Sequence, residues 1–258
     1  MSSPPTSLRL ARVFPSSKVL PENLLRIHLF FSEPPCVDPI PRAIRLVDRA
    51  GGEVPHPFLN LQEGLWDPTG ARLTLILHPA RIKSGLAARE AMGPAVRRGR
   101  TYRLEVDLGL LAGERASGRF VQTHDFDVGD PLVSAIRPMA WSVTPAPVGV
   151  LAPLRIAFNR PMDRLGLEQA FVVEGPSGGV VACDLSVASG EQAIRLTPRC
   201  LWGDGMHRLW VSPDLEDIAG NRIGSEFEKV TGCISPSWEA PTVLVFEPDR
   251  RIGLVKGI

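Results

Sequence analysis

The chain has 258 residues, 44% of them apolar, which is enough for one large domain or for two smaller ones that each bury a core. Its 24 glycines and 25 prolines make up close to a fifth of the sequence, against a usual share of roughly 12%, and this excludes helical bundles and coiled coils. Lysine plus arginine number 29 against 28 acidic residues, so no global field recruits nucleic acid, and no apolar stretch approaches the roughly 20 residues that cross a bilayer.

In chain order, residues 1–17 contain no apolar run of the length a secretory signal needs and are read as a flexible N-terminal segment. Residues 25–31, 43–47, 72–77 and 101–106 then alternate apolar and polar side chains between turn residues, the period-two pattern of half-buried strands. Gly51-Gly52, between two apolar runs, marks a hairpin turn. Residues 80–100 read as an insertion, with enough alanine over 85–96 for a short helix. From Arg81 to Arg103 the chain carries seven basic residues, Arg81, Lys83, Arg89, Arg97, Arg98, Arg100 and Arg103, against the single acid Glu90. Arg81, Lys83, Arg97, Arg98 and Arg100 are therefore candidate contacts for an anionic partner such as an acidic polysaccharide. A solvated arginine face, or pairing with acidic groups of the second half, is the plainer alternative.

Gly129-Asp130-Pro131 reads as a short, stiff junction, after which the same order of elements returns. Residues 29–54 lie on 156–181 at a constant offset of 127 without a gap. Phe31-Ser32-Glu33-Pro34 meets Phe158-Asn159-Arg160-Pro161, Ile44, Leu46 and Val54 meet Phe171, Val173 and Val181, and Gly51-Gly52 meets Gly178-Gly179. The expected fold class is all-β, two tandem immunoglobulin-like β-sandwiches of about seven strands each, at 18–130 (with the insertion) and 131–235, followed by a C-terminal tail at 236–258.

Few residues offer chemistry. Trp66, Trp141, Trp202, Trp210 and Trp238 would stack on sugar rings if any lies on an exposed sheet face; Trp66 and Trp202, beside turn residues, are the expected exposed pair and the others are read as packing. The loop 213–221 carries Asp214, Glu216, Asp217 and Asn221, but not at EF-hand spacing, so the expectation is a local bond from Asp217 to backbone with Gly220 or Asn221 left-handed, rather than calcium. The five histidines form no metal motif, and no serine sits in a nucleophile elbow. Cys36, Cys183, Cys200 and Cys233 have no zinc spacing; free thiols and one disulfide among the last three both fit. No catalytic residue, cofactor or metal is expected.

The second half also carries a family resemblance. Phe158-Asn159-Arg160-Pro161-Met162-Asp163, Gly179-Val180-Val181, Leu196-Thr197-Pro198, Gly205-Met206-His207-Arg208-Leu209-Trp210-Val211 and Asp217-Ile218-Ala219-Gly220-Asn221 occur in the order of bacterial immunoglobulin-like domains of the SbsA type, found in surface-layer proteins. The first half is similar but diverged: Phe31-Ser32-Glu33-Pro34-Pro35 lacks the Met-Asp step. The pair also resembles exported tandem immunoglobulin-like proteins of bacteria. The resemblance implies a non-catalytic structural or adhesive module outside the cytoplasm, despite the absence of a visible signal, with envelope polysaccharide or another protein as partner. The alternative is a carbohydrate-binding or carbohydrate-processing accessory protein with a groove at the domain junction, using Trp66 or Trp202.

Overall fold

The computed structural model describes residues 8–36, 40–59, 65–82, 87–113, 120–227 and 242–250. The chain is mostly β, and it divides into two compact units, residues 1–132 and 133–258. No helix among the described residues is long and apolar enough to cross a membrane.

The first unit contains β1 (Leu10–Phe14), β2 (Val19–Pro21), β3 (Arg26–Phe31), β4 (Ile44–Asp48), β5 (Leu65–Trp66), β6 (Arg72–Ile76), β7 (Thr101–Asp107) and β8 (Val121–Gly129). They form two four-stranded sheets, β1-β3-β6-β5 and β2-β8-β7-β4. Period-two burial is plain in β7, where Tyr102, Leu104 and Val106 are buried while Arg103 faces solvent and pairs with Asp125 directly across β8. The N-terminal expectation needs correction. Residues 10–14 are not a flexible leader but a strand antiparallel to β3, and Phe14 meets Phe30 edge-on at 5.5 Å. The pairing partner lies across the sheet, beyond the reach of a local reading.

The second unit contains β9 (Ser142–Thr144), β10 (Leu154–Ala157), β11 (Phe171–Glu174), β12 (Val180–Val181), β13 (Cys183–Val187), β14 (Ala193–Pro198), β15 (His207–Val211) and β16 (Thr242–Phe246). Its sheets are β13-β14-β10-β9 and β12-β11-β15-β16. Leu154, Ile156, Ile194 and Leu196 of one sheet meet Val173, Leu209, Val211, Leu244 and Phe246 of the other in a single core, a sandwich closed at one end by Trp141 against Phe158. Here the tail needs correction. Residues 242–246 form β16, paired with all five residues of β15, so the 131–235 boundary would cut away an edge of this sheet and two core side chains.

The strand order agrees between the units except at one edge strand each, β2 beside β8 in the first and β12 beside β11 in the second. β1, β3, β6 and β5 stand in one order and β9, β10, β14 and β13 repeat it, while β4, β7 and β8 correspond to β11, β15 and β16. The parallel pairing of β2 on β8 is met by a parallel bridge from Pro147 to Asp249 beside β16. The paired glycines make the same turn. Gly51 (φ +85°) donates to the Asp48 carbonyl and Gly178 (φ +83°) to the Gly175 carbonyl, each at 3.0 Å, a left-handed position that glycine takes without penalty.

Among the described residues, short α-helices lie between strands: α1 (Ile40–Ala43), α2 (Pro79–Ile82), α3 (Ala87–Met92), α4 (Leu108–Leu111) and α5 (Arg164–Leu167), with a 3-10 turn at Pro138–Ala140. Of these, α3 falls inside the 85–96 stretch expected to be helical, and α2 precedes it. Asp163 caps α5 by accepting from the Leu165 and Gly166 amides, each at 3.1 Å, and Met162 before it is fully buried. A Met-Asp step in this place therefore fills the core and starts a helix.

Candidate functional site

The basic insertion does not form one anionic-partner surface. Arg81, on α2, is only 3% exposed. Its Nε donates to the Gly93 carbonyl at 3.0 Å, Nη2 to Pro94 at 3.0 Å, and Nη1 to the Pro55 and His56 carbonyls. Burial, and then the Arg97 cation, pull its guanidinium below its ordinary pKa. Arg81 is thus a clamp between two loops and is withdrawn as a partner contact. The cause is tertiary: four backbone carbonyls converge on one position, and arginine alone carries enough N–H groups to meet them.

The remaining basic residues separate into paired and open groups. Arg89 bonds the Arg81 and Ile82 carbonyls at the end of α2 and reaches Glu22 at 3.3 Å. Arg98 pairs with Asp130 at 2.7 Å, and its amide donates to Glu22. These acids belong to the first unit itself, not to the second half as the pairing alternative had it. Arg97 and Arg100 are exposed and have no carboxylate partner among the described residues. Lys83 lies outside the described residues.

The tryptophan expectation is corrected in part. Trp202 is 2% exposed, donates its indole N–H to the Ala152 carbonyl at 2.8 Å, and sits edge-on to His207 and Phe246. It is core, because the turn residues beside it carry the ring under the sheet. Trp66, on the edge strand β5, is half-buried with its ring 5.8 Å from Phe31. Trp238 lies outside the described residues.

The ring that does reach a sheet face is Trp210. Leu209 and Val211 on either side are fully buried, so Trp210 points outward from β15. It stands between Val172 of β11 and Val243 of β16, with Val180 and Val245 on the neighbouring rows. A shallow groove of about 480 Å³ runs beside it, lined also by Gln169, Gly178, Ser212 and Pro213. The indole N–H donates to Glu174 at 2.8 Å and Arg208 bonds the other carboxylate oxygen at 2.7 Å. Those two bonds, the indole's first, hold the Glu174 carboxyl below its ordinary pKa. The ring is thus fixed in place on a locally neutral apolar strip. The alternation Leu-Trp-Val was the signal in the sequence that separates this tryptophan from the core.

The 213–221 loop is closed upon itself. Asp217 is buried; one carboxylate oxygen accepts from the Ala219 and Asn221 amides and the other from the Asn221 side chain and Arg160, at 2.9–3.1 Å, while Gly220 is left-handed at φ +84°. Burial pushes the carboxyl above its ordinary pKa against the pull of Asn221 and Arg160. Both oxygens are therefore used within the turn. Among the described residues no three histidine, cysteine or carboxylate side chains gather as metal ligands. Cys36 and Cys200 are exposed free thiols and Cys183 a half-buried one; Cys233 lies outside the described residues.

No protein-family model matches the chain, and no curated protein matches it. Solved structures with similarity include native alpha-2-macroglobulin of Escherichia coli spanning domains MG0-NIE-MG1, at 15% identity over 93% of this chain and 71% of that one, TM-score 0.27. A chimeric titin Z1Z2 shares 11% identity over 75% of this chain and 83% of its own, TM-score 0.21. The mouse coronavirus receptor-binding domain complexed with its murine receptor shares 10% identity over 80% and 92%, TM-score 0.19. Likeness at this level carries no argument about function.

Proposed function

We propose that the chain is a non-catalytic structural or adhesive module of two tandem immunoglobulin-like β-sandwiches, the second of the SbsA type, borne outside the cytoplasm on a bacterial envelope. The observation that supports it is the shared strand order of the two units, each with two four-stranded sheets and the same glycine turn. The residues of the second-unit signature fit such a role because they build the fold: Met162 fills the core, Asp163 caps α5 and Asp217 closes the last turn. They are spent on architecture, which leaves binding to the outer faces.

The carbohydrate-binding alternative gains one specific observation, the fixed outward ring of Trp210 over an open groove, and it rests on this residue instead of Trp202. A screen of the purified chain against neutral and acidic envelope glycans, with released product assayed in the same wells, tests both readings. The module reading expects retention without turnover; hydrolysis of any glycan overturns it. Trp210→Ala should abolish retention of neutral glycans, and unchanged retention removes the second reading.

A further inference from the structure

Three arginines of this protein stand across a strand pair from a carboxylate. Arg45 stands opposite Glu105, Arg103 opposite Asp125 and Arg208 opposite Glu174, each in direct register and each bonded. On the outer face of the β13-β14-β10-β9 sheet the pattern breaks: Arg155 of β10 stands directly opposite Arg195 of β14. Both are exposed, and neither has a carboxylate partner among the described residues. The acid that these strands carry on that face, Asp184, is taken by Arg199 at 2.6 Å. Like charges directly opposite on a sheet are unfavourable.

The surroundings supply a reason for keeping them. The same row continues with Thr144 of β9 beside Arg155 and Ser186 of β13 beside Arg195, so two hydroxyls flank two guanidiniums across four strands. The next row is small, Ser142, Ala157, Ala193 and Ala188, and it leaves a recess of about 250 Å³ against the arginines. Neighbouring strands are about 4.8 Å apart, so both guanidiniums reach one group seated there.

From this we infer that the Arg155–Arg195 pair above this recess is a binding site for a single tetrahedral oxyanion, a phosphate or sulfate group. One guanidinium fork saturates a planar carboxylate, whereas two forks match the larger set of acceptors on a tetrahedral anion. A polyanion would need a track of cations, and this row has two. The site belongs to the second unit, whereas Arg97 and Arg100 belong to the first.

The test is titration of the full chain with inorganic phosphate and with sulfate at constant ionic strength against chloride, read by calorimetry and by thermal midpoint. Saturable binding and a raised midpoint are expected, with about tenfold weaker binding in Arg155→Ser and in Arg195→Ser, loss in the double variant, and no change in Arg97→Ser/Arg100→Ser. Without anion, each single variant should melt at or above the parent, because a repulsion has been removed. Sugar phosphate and sugar sulfate esters run alongside distinguish the source: tighter binding of an ester assigns the site to a carried group, and binding of the free ions alone assigns it to those. A response no greater than that to chloride, or binding undiminished in the double variant, overturns the inference.

Discussion

Phe246 meets Trp202 edge-on, ring centres 5.8 Å apart, and so joins the last strand of the second unit to the loop that precedes β15. His207 stacks on Phe246 at 5.3 Å and is itself edge-on to Trp202 at 5.4 Å, so the three rings touch one another. The second unit's core is therefore completed by residues that lie well after its closing turn.

Two fragments check this. Residues 133–250 should unfold in one cooperative thermal transition, whereas residues 133–235 should show a broad or absent transition, having lost β16 with Leu244 and Phe246. In the full chain, Phe246→Ala should cost about 3–5 kcal/mol in denaturant unfolding of this unit. A 133–235 fragment as stable as the longer one would show that β16 adds nothing to the core.

Replacing Arg81 should be costly and replacing its neighbours cheap. Arg81→Met leaves the Gly93, Pro94, Pro55 and His56 carbonyls without their donor, and a loss of about 2–4 kcal/mol is expected from several orphaned groups. Arg97→Ser and Arg100→Ser, at exposed positions, should change stability by less than about 0.5 kcal/mol. Urea unfolding of the three variants decides it; equal effects would mean that the buried clamp contributes no more than a surface arginine.

Stability should fall on the acid side through His124. Its side chain points inward from β8, opposite Leu104, with Nε2 buried and without a hydrogen-bond partner among the described residues, and burial holds its pKa below the ordinary value. The unfolded chain then takes up the proton first as pH drops, so the contribution is complete above about pH 6.5 and is lost progressively below it. Carboxylates such as Asp125, which Arg103 holds low, act only at more acid pH. His124→Leu should flatten the urea midpoint between about pH 6.5 and 5; an unchanged slope would place the titration elsewhere.

Thiol reactivity should rank Cys183 last among the three described cysteines. Burial, with Cys200 and Asp184 nearby, pushes its thiol up to about 11, which lowers the thiolate fraction about a hundredfold against an ordinary cysteine. Alkylation at pH 8 followed by peptide mass mapping should label exposed Cys36 and Cys200 first, and denaturation should equalise the rates. Early labelling of Cys183 in the folded chain would contradict the burial.

Alternation within a strand and the left-handed demand of Gly51 and Gly178 are local properties, carried by residues two or three apart, and the sequence by itself determined those strands, their turns and the division near residue 131. The turn around Asp217 was legible for the same reason, since its carboxylate serves amides two and four positions on. The edges were decided only by tertiary structure: β1 and β16 are strands because β3 and β15 offer them partners across the sheet. So was the fate of Arg81, charged and expected outside, which is buried because loops from residues 55–56 and 93–94 bring their carbonyls to it. Arg155 and Arg195 lie 40 residues apart, and what sets them side by side is the register of β10 against β14, a long-range choice governed by which faces are buried together.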